Sequence, residues 1–219
     1  MKRQTVIEDL LRVMARLRSP AGCPWDREQD HRSLRWHAVE EVYELLDAIE
    51  ADDDQELVEE LGDLLLQVVF HCQLGKERGA FDFDQVVRHI TEKLVRRHPH
   101  VFGDVKVKDV DQVWANWEKI KRAEKHGTKH ARPSALDGIP KHLPALLRAE
   151  KLVKKARRAK LTTEAGKARK LPRAKLARKL FDLAQCAHSR GWSAEELLRT
   201  ETRRQERSWR RREKKLGSS

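Results

Sequence analysis

The sequence lacks a long hydrophobic run. Its longest extends only from Leu64 to Phe70 and is interrupted by Gln67, whereas a helix that spans a bilayer needs about 20 apolar residues. The first residues lead directly into an amphipathic pattern, without the apolar core of a signal peptide. We therefore predict a cytoplasmic protein with no membrane partner.

Cysteine is also scarce. The chain of 219 residues contains three, Cys23, Cys72 and Cys186, which are odd in number and far apart. This usage argues against a disulfide framework and is typical of free thiols in a reducing cytosol. Cys72 falls on an apolar helical stripe, so we predict that it lies in the core.

Several common functional motifs are missing as well. The sequence has neither a glycine-rich phosphate loop of the Walker type nor a nucleophile elbow. His98 and His100 flank Pro99, but no cysteine or third histidine stands at zinc-ligand spacing. We interpret this segment as a helix stop. The segment that begins at Cys23 is predicted to form a rigid turn with a buried Trp25.

Charge is abundant and unevenly distributed. Charged residues make up 37% of the chain, more than the roughly one quarter that is typical of globular proteins. Residues 1–130 contain 21 Lys and Arg against 26 Asp and Glu, a net charge of −5. Residues 131–219 contain 26 against 9, a net charge of +17. This asymmetry predicts two parts with different roles.

Apolar residues recur at helical spacing along most of the chain, and no segment alternates convincingly with a period of two. We therefore predict an all-α fold. The predicted helices cover residues 5–18, 33–50, 55–76, 110–124, 146–158, 174–189 and 194–215, and a further one starts at Asp82 or Asp84. The acidic residues 52–54 are predicted to end one helix and cap the next. An apolar stripe of the helix after Asp82, formed by Val86, Val87, Ile90 and Leu94, is predicted to face inward.

Two consecutive predicted helices carry paired acidic residues. Glu41 and Glu44 lie three residues apart on the first helix, as do Glu60 and Asp63 on the second, so each pair shares a face. Antiparallel packing of the two helices can bring four carboxylates together, where they repel one another unless a divalent cation neutralises them. Oxygen ligands in this number suit Mg²⁺ or Mn²⁺. The pattern alone leaves open the alternative of two solvated acidic faces.

A basic and aromatic set follows. It consists of Lys93, Arg96, Arg97 and Lys121, with Trp114, Asn116 and Trp117 nearby. Basic side chains at helical spacing can clamp phosphates, and a tryptophan can stack on a base or fill a core. Taken one at a time, each of these residues has the simpler interpretation of packing or solubility.

Several motifs in series resemble one family. They lie at residues 22–29, 40–44, 60–65, 96–102 and 117–121. Over about residues 5–150 they resemble, in order and without large gaps, the MazG family of nucleoside triphosphate pyrophosphohydrolases. The segment at residues 134–146 is similar to that family's link into a second copy of its helical module.

The resemblance implies an all-α helical-bundle enzyme, usually a homodimer, that cleaves nucleoside triphosphates to a nucleoside monophosphate and pyrophosphate. It implies a Mg²⁺ site, with Mn²⁺ as the alternative, formed by Glu41, Glu44, Glu60 and Asp63. The residues expected to act in catalysis are Glu40, Glu41, Lys93 and Arg97. The residues expected to bind substrate are Lys93, Arg96, Arg97, Asn116, Trp117 and Lys121.

The second half departs from the family pattern. In a weak internal alignment, Arg178 and Lys179 stand where the first half has Glu59 and Glu60. We therefore predict an active module over residues 5–130, a linker over residues 131–145, and a degenerate basic helical module over residues 146–219.

The primary hypothesis is a pyrophosphohydrolase that cleans the nucleotide pool. One alternative is a catalytically weak nucleotide-binding or regulatory protein with a basic interaction tail. Another is an enzyme of the same helical group that acts on dUTP, dCTP or phosphoribosyl-ATP. The basic C-terminal region is predicted to contact nucleic acid weakly and without sequence preference through its phosphates, unless its charges form only a solvated face.

Overall fold

The structure, a computed structural model, describes residues 6–124, 127–128, 131, 133–162 and 171–217. These residues form ten helices and no strand, which confirms the all-α prediction. The helices are α1 (Val6–Leu17), α2 (Pro24–Glu28), α3 (His37–Ala51), α4 (Asp54–Glu77), α5 (Phe83–Arg97), α6 (Pro99–Phe102), α7 (Val110–Ala123), α8 (Ala145–Arg158), α9 (Arg173–Ser189) and α10 (Ala194–Gly217). None of the helices described here combines the length and the apolar character that crossing a bilayer requires.

The acidic connection between α3 and α4 acts as predicted. Asp52 ends α3 in the left-handed region, with φ 56° and ψ 38°. The Asp53 carboxylate accepts hydrogen bonds from the backbone N–H groups of Gln55 at 2.9 Å and Glu56 at 3.2 Å. An N-cap of this kind stabilises a helix by about 1 kcal/mol. The short connection makes α3 and α4 consecutive neighbours that run in opposite directions.

Two other helix ends differ in how well the sequence predicted them. α3 begins at His37 instead of near Ser33, because the Asp30 carboxylate accepts the N–H groups of Arg32 and Ser33, both at 2.7 Å, and holds a separate turn. The stop at residues 98–100 is confirmed, since α5 ends at Arg97 and a short helix begins at Pro99.

The chain divides into two compact units between Val113 and Trp114. In the first unit, α4 packs against α1 and α3 and also contacts α5. The buried core of this unit consists of Met14, Leu34, Val69, Phe70 and Leu74. Cys72 is buried, as predicted, and the three cysteines are free thiols.

A largely buried arginine fastens the first helices together. The Arg18 guanidinium donates to both carboxylate oxygens of Glu77, at 2.8 Å and 2.7 Å, and thereby lowers the pKa of that carboxyl. It also donates to the carbonyl oxygens of Asp26 and Gln29. Arg18 therefore anchors α1 and the α2 segment to the carboxyl end of α4.

Several apolar side chains that the sequence assigned to the interior are exposed. Ile90 and Leu94 on α5 are 40% and 48% exposed and Val87 is also exposed, so the predicted inward stripe is wrong except at the half-buried Val86. Trp25 is 52% exposed, so its predicted burial is wrong too. Periodicity identifies an apolar face but does not supply the surface that covers it.

In the second unit, α8 and α10 pack together around Leu136, Leu152, Ala156 and Leu161. The Glu213 carboxylate on α10 accepts the backbone N–H of Ala135 at 2.7 Å and so ties the preceding segment to this helix. On α9 the one buried residue is Ala187. Residue 132 of the predicted linker lies outside the described residues, as do residues 125–126 and 129–130 just before it, and the boundaries at residues 130 and 145 stay predictions.

Candidate metal and active site

Three carboxylates from α3 and α4 converge in the first unit. Glu41 lies near the start of α3, and Glu60 and Asp63 lie one turn apart on α4. One oxygen atom of each side chain lies within 4.8 Å of the other two. Oxygen ligands around a Mg²⁺ ion, each at about 2.1 Å from it, are roughly 3 to 4 Å apart. Small side-chain adjustments would therefore let the three residues share one ion.

The electrostatics of this cluster favour a cation. The pKa of Glu41 is raised by burial first, and then by the charges of Asp63 and Glu44. The pKa of Glu60 is raised by burial and by the charges of Glu44, Asp63 and Glu41. Both shifts have the sign expected when like charges are brought together out of water. The cluster is thus unfavourable as a set of bare anions and is relieved by positive charge.

The donor set also fits a hard divalent ion. The Glu60 Oε2 atom is buried and has no hydrogen-bond partner within the described part of the chain. A buried carboxylate oxygen without a partner is costly. An ion held by Glu41, Glu60 and Asp63 would satisfy this oxygen and offset the repulsion together, because all three donors are the carboxylate oxygens that such ions prefer.

The other two predicted acidic residues, Glu40 and Glu44, are not members of the set of three. Glu44 is exposed and is outside the set of three, although it is close enough to raise the pKa of Glu41 and Glu60. Glu40 is exposed, and its carboxylate lies 3.3 Å from Nδ1 of His37. Their proposed roles in metal binding and catalysis stay predictions.

One residue at the site was not selected from the sequence. The Gln67 side chain on α4 is 8% exposed, and its Nε2 atom donates to Oε1 of Glu41 at 3.3 Å. This hydrogen bond lowers the pKa of Glu41, against the larger effects of burial and Asp63. The available signal was a glutamine inside an apolar run, one helical turn after Asp63.

The predicted phosphate-binding residues of α5 differ in burial. Lys93 and Arg97 are one helical turn apart and half-buried, whereas Arg96 is exposed. A spacing of four residues places two side chains on the same helix face. Lys93 and Arg97 are therefore able to act as a pair toward a polyanion, with Arg96 on a different side of the helix.

The remaining predicted substrate residues, Asn116, Trp117 and Lys121, are half-buried on α7 in the second unit. The Lys121 ammonium lies 5.7 Å from the ring centre of Trp117 and 3.2 Å from a carboxylate oxygen of Glu118. The ring of Trp117 meets that of Trp114 edge-on at 5.3 Å. These contacts hold the aromatic and basic side chains of α7 in a defined cluster.

Comparison with known proteins points to a single family. Residues 29–102 match the family model described as the MazG nucleotide pyrophosphohydrolase domain. The chain is 49% identical over 150 residues to a nucleoside triphosphate pyrophosphohydrolase of Escherichia coli strain K12, covering 68% of this chain and 56% of that protein. It is 46% identical over 151 residues to the nucleoside triphosphate pyrophosphohydrolase/pyrophosphatase MazG of Thermotoga maritima, covering 69% and 56%.

Two further similarities concern proteins without such a name. The chain is 54% identical over 142 residues to the uncharacterized protein YabN of Bacillus subtilis, covering 65% of this chain and 28% of that protein. The solved structure of a MazG-related protein from Thermotoga maritima aligns with 52% of this chain and 97% of its own, with a TM-score of 0.45 and 24% identity.

The chain spans only 28% to 56% of the length of the three curated relatives just described. The segment that the family model matches, residues 29–102, includes the helices that carry the three converging carboxylates. Residues 29–102 of this chain therefore form a domain of the MazG family.

Proposed function

We propose that the protein hydrolyses nucleoside triphosphates to nucleoside monophosphates and pyrophosphate, with Mg²⁺ as the cofactor and Mn²⁺ as a substitute. The convergence of Glu41, Glu60 and Asp63 carries this proposal. The names of the Escherichia coli and Thermotoga maritima relatives support the same reaction. Those names do not favour the alternative of a catalytically weak nucleotide-binding protein.

The reaction assigns a role to each group of side chains. A bound Mg²⁺ ion would shield the triphosphate and lower the pKa of a water molecule. Glu41, Glu60 and Asp63 would hold that ion, with Glu44 as a further ligand. Attack of the water oxygen forms a bond to the α-phosphorus and breaks its bond to the bridging oxygen, which leaves with pyrophosphate. The water proton would pass to a carboxylate, Glu40 or Glu41.

The basic residues would act on the leaving group. Lys93 and Arg97, with Arg96 and Lys121, would bind the phosphates and stabilise the negative charge that develops on pyrophosphate. Trp117 and Asn116 would contact the nucleoside. A planar indole beside a base offers stacking without strong base selectivity, because every base has a π-face.

Product analysis tests the proposal directly. Purified protein is incubated with a panel of ribo- and deoxyribonucleoside triphosphates, with Mg²⁺ or with excess EDTA. We expect equal amounts of nucleoside monophosphate and pyrophosphate with Mg²⁺ and no turnover with EDTA. Stepwise release of orthophosphate, or undiminished turnover in EDTA, would refute the assignment.

We also propose that the protein acts as a homodimer. Three helices of the first unit carry exposed apolar side chains, namely Val39, Val42, Leu46 and Ile49 on α3, Val58, Leu61, Leu65 and Val68 on α4, and Ile90, Leu94 and Val95 on α5. Extended apolar patches of this kind mark association surfaces. Leu61 and Leu65 share a face of α4 that lies about 200° round the helix from Asp63, so the partner would cover the side of α4 away from the carboxylate cluster. Sedimentation of the full chain measures the mass.

The basic second unit supports a further, weaker interaction. Arg203, Arg207 and Arg211 are exposed at four-residue spacing on α10, so their Cα atoms lie about 6 Å apart along one helix face. Phe181 and Trp192 are exposed, but neither lies on this face of α10. We propose that the face binds the phosphates of nucleic acid without reading the bases.

This interaction predicts a strong salt dependence. Binding of a labelled duplex is expected at low salt and is expected to disappear near physiological ionic strength. Replacing Arg203, Arg207 and Arg211 by Gln should reduce the slope of log affinity against log salt by about 2 to 3. Replacing Arg32, Lys76 and Arg78 by Gln in the first unit removes the same charge and is the control. An equal change in both triple variants would show that net charge alone is responsible.

A further inference from the structure

We propose that Gln67 is a positioning residue of the metal site, whose side-chain amide holds the Glu41 carboxylate in the orientation that binds the ion. This inference rests on the proposed metal-dependent hydrolysis and assigns a role to a residue outside the set of acidic ligands. Gln67 donates from Nε2 to Oε1 of Glu41 at 3.3 Å, a long hydrogen bond of the kind that shortens when a ligand fixes the acceptor.

The position of Gln67 on α4 links it to the ligands. Glu60, Asp63 and Gln67 follow one another at spacings of three and four residues, so they lie along one face of the helix. The face meets Glu41 on α3, since all three carboxylates converge there. Gln67 is thus the next residue of the ligand stripe in the direction of the core, where Val69 and Phe70 are buried.

Burying a glutamine side chain at this position costs free energy unless its amide group makes hydrogen bonds. The side chain is only 8% exposed, and its Oε1 atom has no hydrogen-bond partner among the residues that the structure describes. An apolar residue would fill the same space without leaving a buried oxygen unsatisfied. The hydrogen bond to Glu41 satisfies the Nε2 end of the amide. The other end is able to accept a hydrogen bond from water, several molecules of which Mg²⁺ retains when it binds to proteins.

The chemistry of the amide suits this role better than that of other polar side chains. A lysine or arginine beside Glu41 would compete with the metal ion for the carboxylate. A glutamate would add another negative charge to a site that already concentrates them. A neutral N–H donor fixes one carboxylate oxygen and leaves the charge of Glu41 available to the ion. Mutation of a residue that hydrogen-bonds to a metal ligand without touching the ion typically lowers metal affinity or activity by about 10- to 100-fold.

The chain offers a matched control on the same helix. Gln73 also donates from Nε2 to a carboxylate oxygen, that of Glu77 at 3.0 Å, but it lies far along α4 from the cluster. Gln67→Met and Gln73→Met remove the amide and keep the side-chain length. Binding of Mn²⁺ alone, without nucleotide, is measured by the loss of the free-ion electron paramagnetic resonance signal.

We expect Gln67→Met to weaken Mn²⁺ binding by about 10-fold or more, and Gln73→Met to bind as the wild type does. In steady-state assays, the Mg²⁺ concentration needed for half-maximal rate should rise by the same factor in Gln67→Met. The kcat at saturating Mg²⁺ and the KM for nucleotide should change by less than about threefold, because a positioning residue acts through the ion. A purely structural role would instead lower the melting temperature and leave Mn²⁺ affinity unchanged.

The outcomes separate this inference from the function on which it rests. If the wild type binds Mn²⁺ and Gln67→Met binds it equally well, the positioning role is wrong and the proposed hydrolysis stands. If the wild type binds no Mn²⁺, both are wrong. Should Gln67→Met unfold below the assay temperature, Gln67→Asn provides the comparison, since it keeps a polar amide but shortens its reach to Glu41. Wild-type Mn²⁺ affinity in Gln67→Asn would then overturn the inference.

Discussion

Replacing Glu41 by Gln is expected to lower kcat/KM by about 100-fold or more and to abolish detectable Mn²⁺ binding. Glu41 is the α3 member of the set of three carboxylates, so its loss leaves an ion held from α4 only. Asp63→Asn should have a comparable effect for the same reason. Glu50→Gln, which removes one exposed carboxylate from the same helix as Glu41, is the control and should retain wild-type activity.

The stability of Glu41→Gln should move in the opposite direction from its activity. Folding raises the pKa of Glu41, and an acid whose pKa is raised on folding opposes folding at any pH where it is ionised. Without metal, the variant should therefore melt at the same or a higher temperature than the wild type at neutral pH. This difference in melting temperature should vanish as the pH falls below the ordinary pKa of a glutamate, because the wild-type carboxyl is then protonated in both the folded and the unfolded state.

Activity and melting temperature, measured on the same variant, show whether Glu41→Gln acts at the site or damages the fold. Loss of activity together with loss of stability would indicate that the substitution damages the fold. Loss of activity with unchanged or raised stability, in a protein that keeps its helical circular dichroism, isolates the effect at the site. Wild-type turnover in both Glu41→Gln and Asp63→Asn would refute the metal-site assignment.

Replacing Lys93 or Arg97 by Met is expected to lower kcat/KM by about 100-fold while Mn²⁺ binding stays unchanged. The two residues are half-buried and share one face of α5, and the proposed reaction requires cations against the departing pyrophosphate. Methionine replaces the apolar stem of either side chain but carries no charge, so the main change is the loss of the cation. The measurement is steady-state kinetics at saturating Mg²⁺, combined with the Mn²⁺ titration.

Two other arginines on α5 provide control variants for Lys93→Met and Arg97→Met. Arg88→Met removes an exposed charge from the same helix and should leave kinetics unchanged. Arg96→Met should have a smaller effect than Arg97→Met, because Arg96 is exposed and lies about 100° further round the helix. Equal losses in all four variants would indicate a general effect of charge on substrate encounter, and would contradict a specific role for Lys93 and Arg97.

The helices could be predicted closely from the sequence because their signals are local. The ends of α4, α8 and α9 lie within a residue of the predicted ones, since caps and apolar spacing act over a few residues of the same segment. α3 was misjudged at its start because the Asp30 turn competes with the helix through side-chain hydrogen bonds that spacing does not reveal.

Because sequence signals are local, the burial of apolar residues was predicted less well than the helices themselves. The apolar residues of α5 satisfy the helical pattern, and yet Ile90 and Leu94 are exposed in the single chain. A stripe of apolar residues indicates that a face is suited to burial, but whether it is covered by the same chain or by another molecule depends on long-range packing. Gln67 was visible only as an interruption of an apolar run.

The sequence by itself determined that this protein is helical, that acidic pairs lie on two consecutive helices, and that its two halves carry opposite charge. Only the tertiary structure decided that Glu41, Glu60 and Asp63 meet within 4.8 Å, that Glu44 lies outside this set, and that Gln67 contacts Glu41. The reason is that periodicity fixes which residues share a face of one helix. The rotation of α3 and α4 about their axes, which selects the side chains that meet between them, is set by the packing of both helices against the rest of the core.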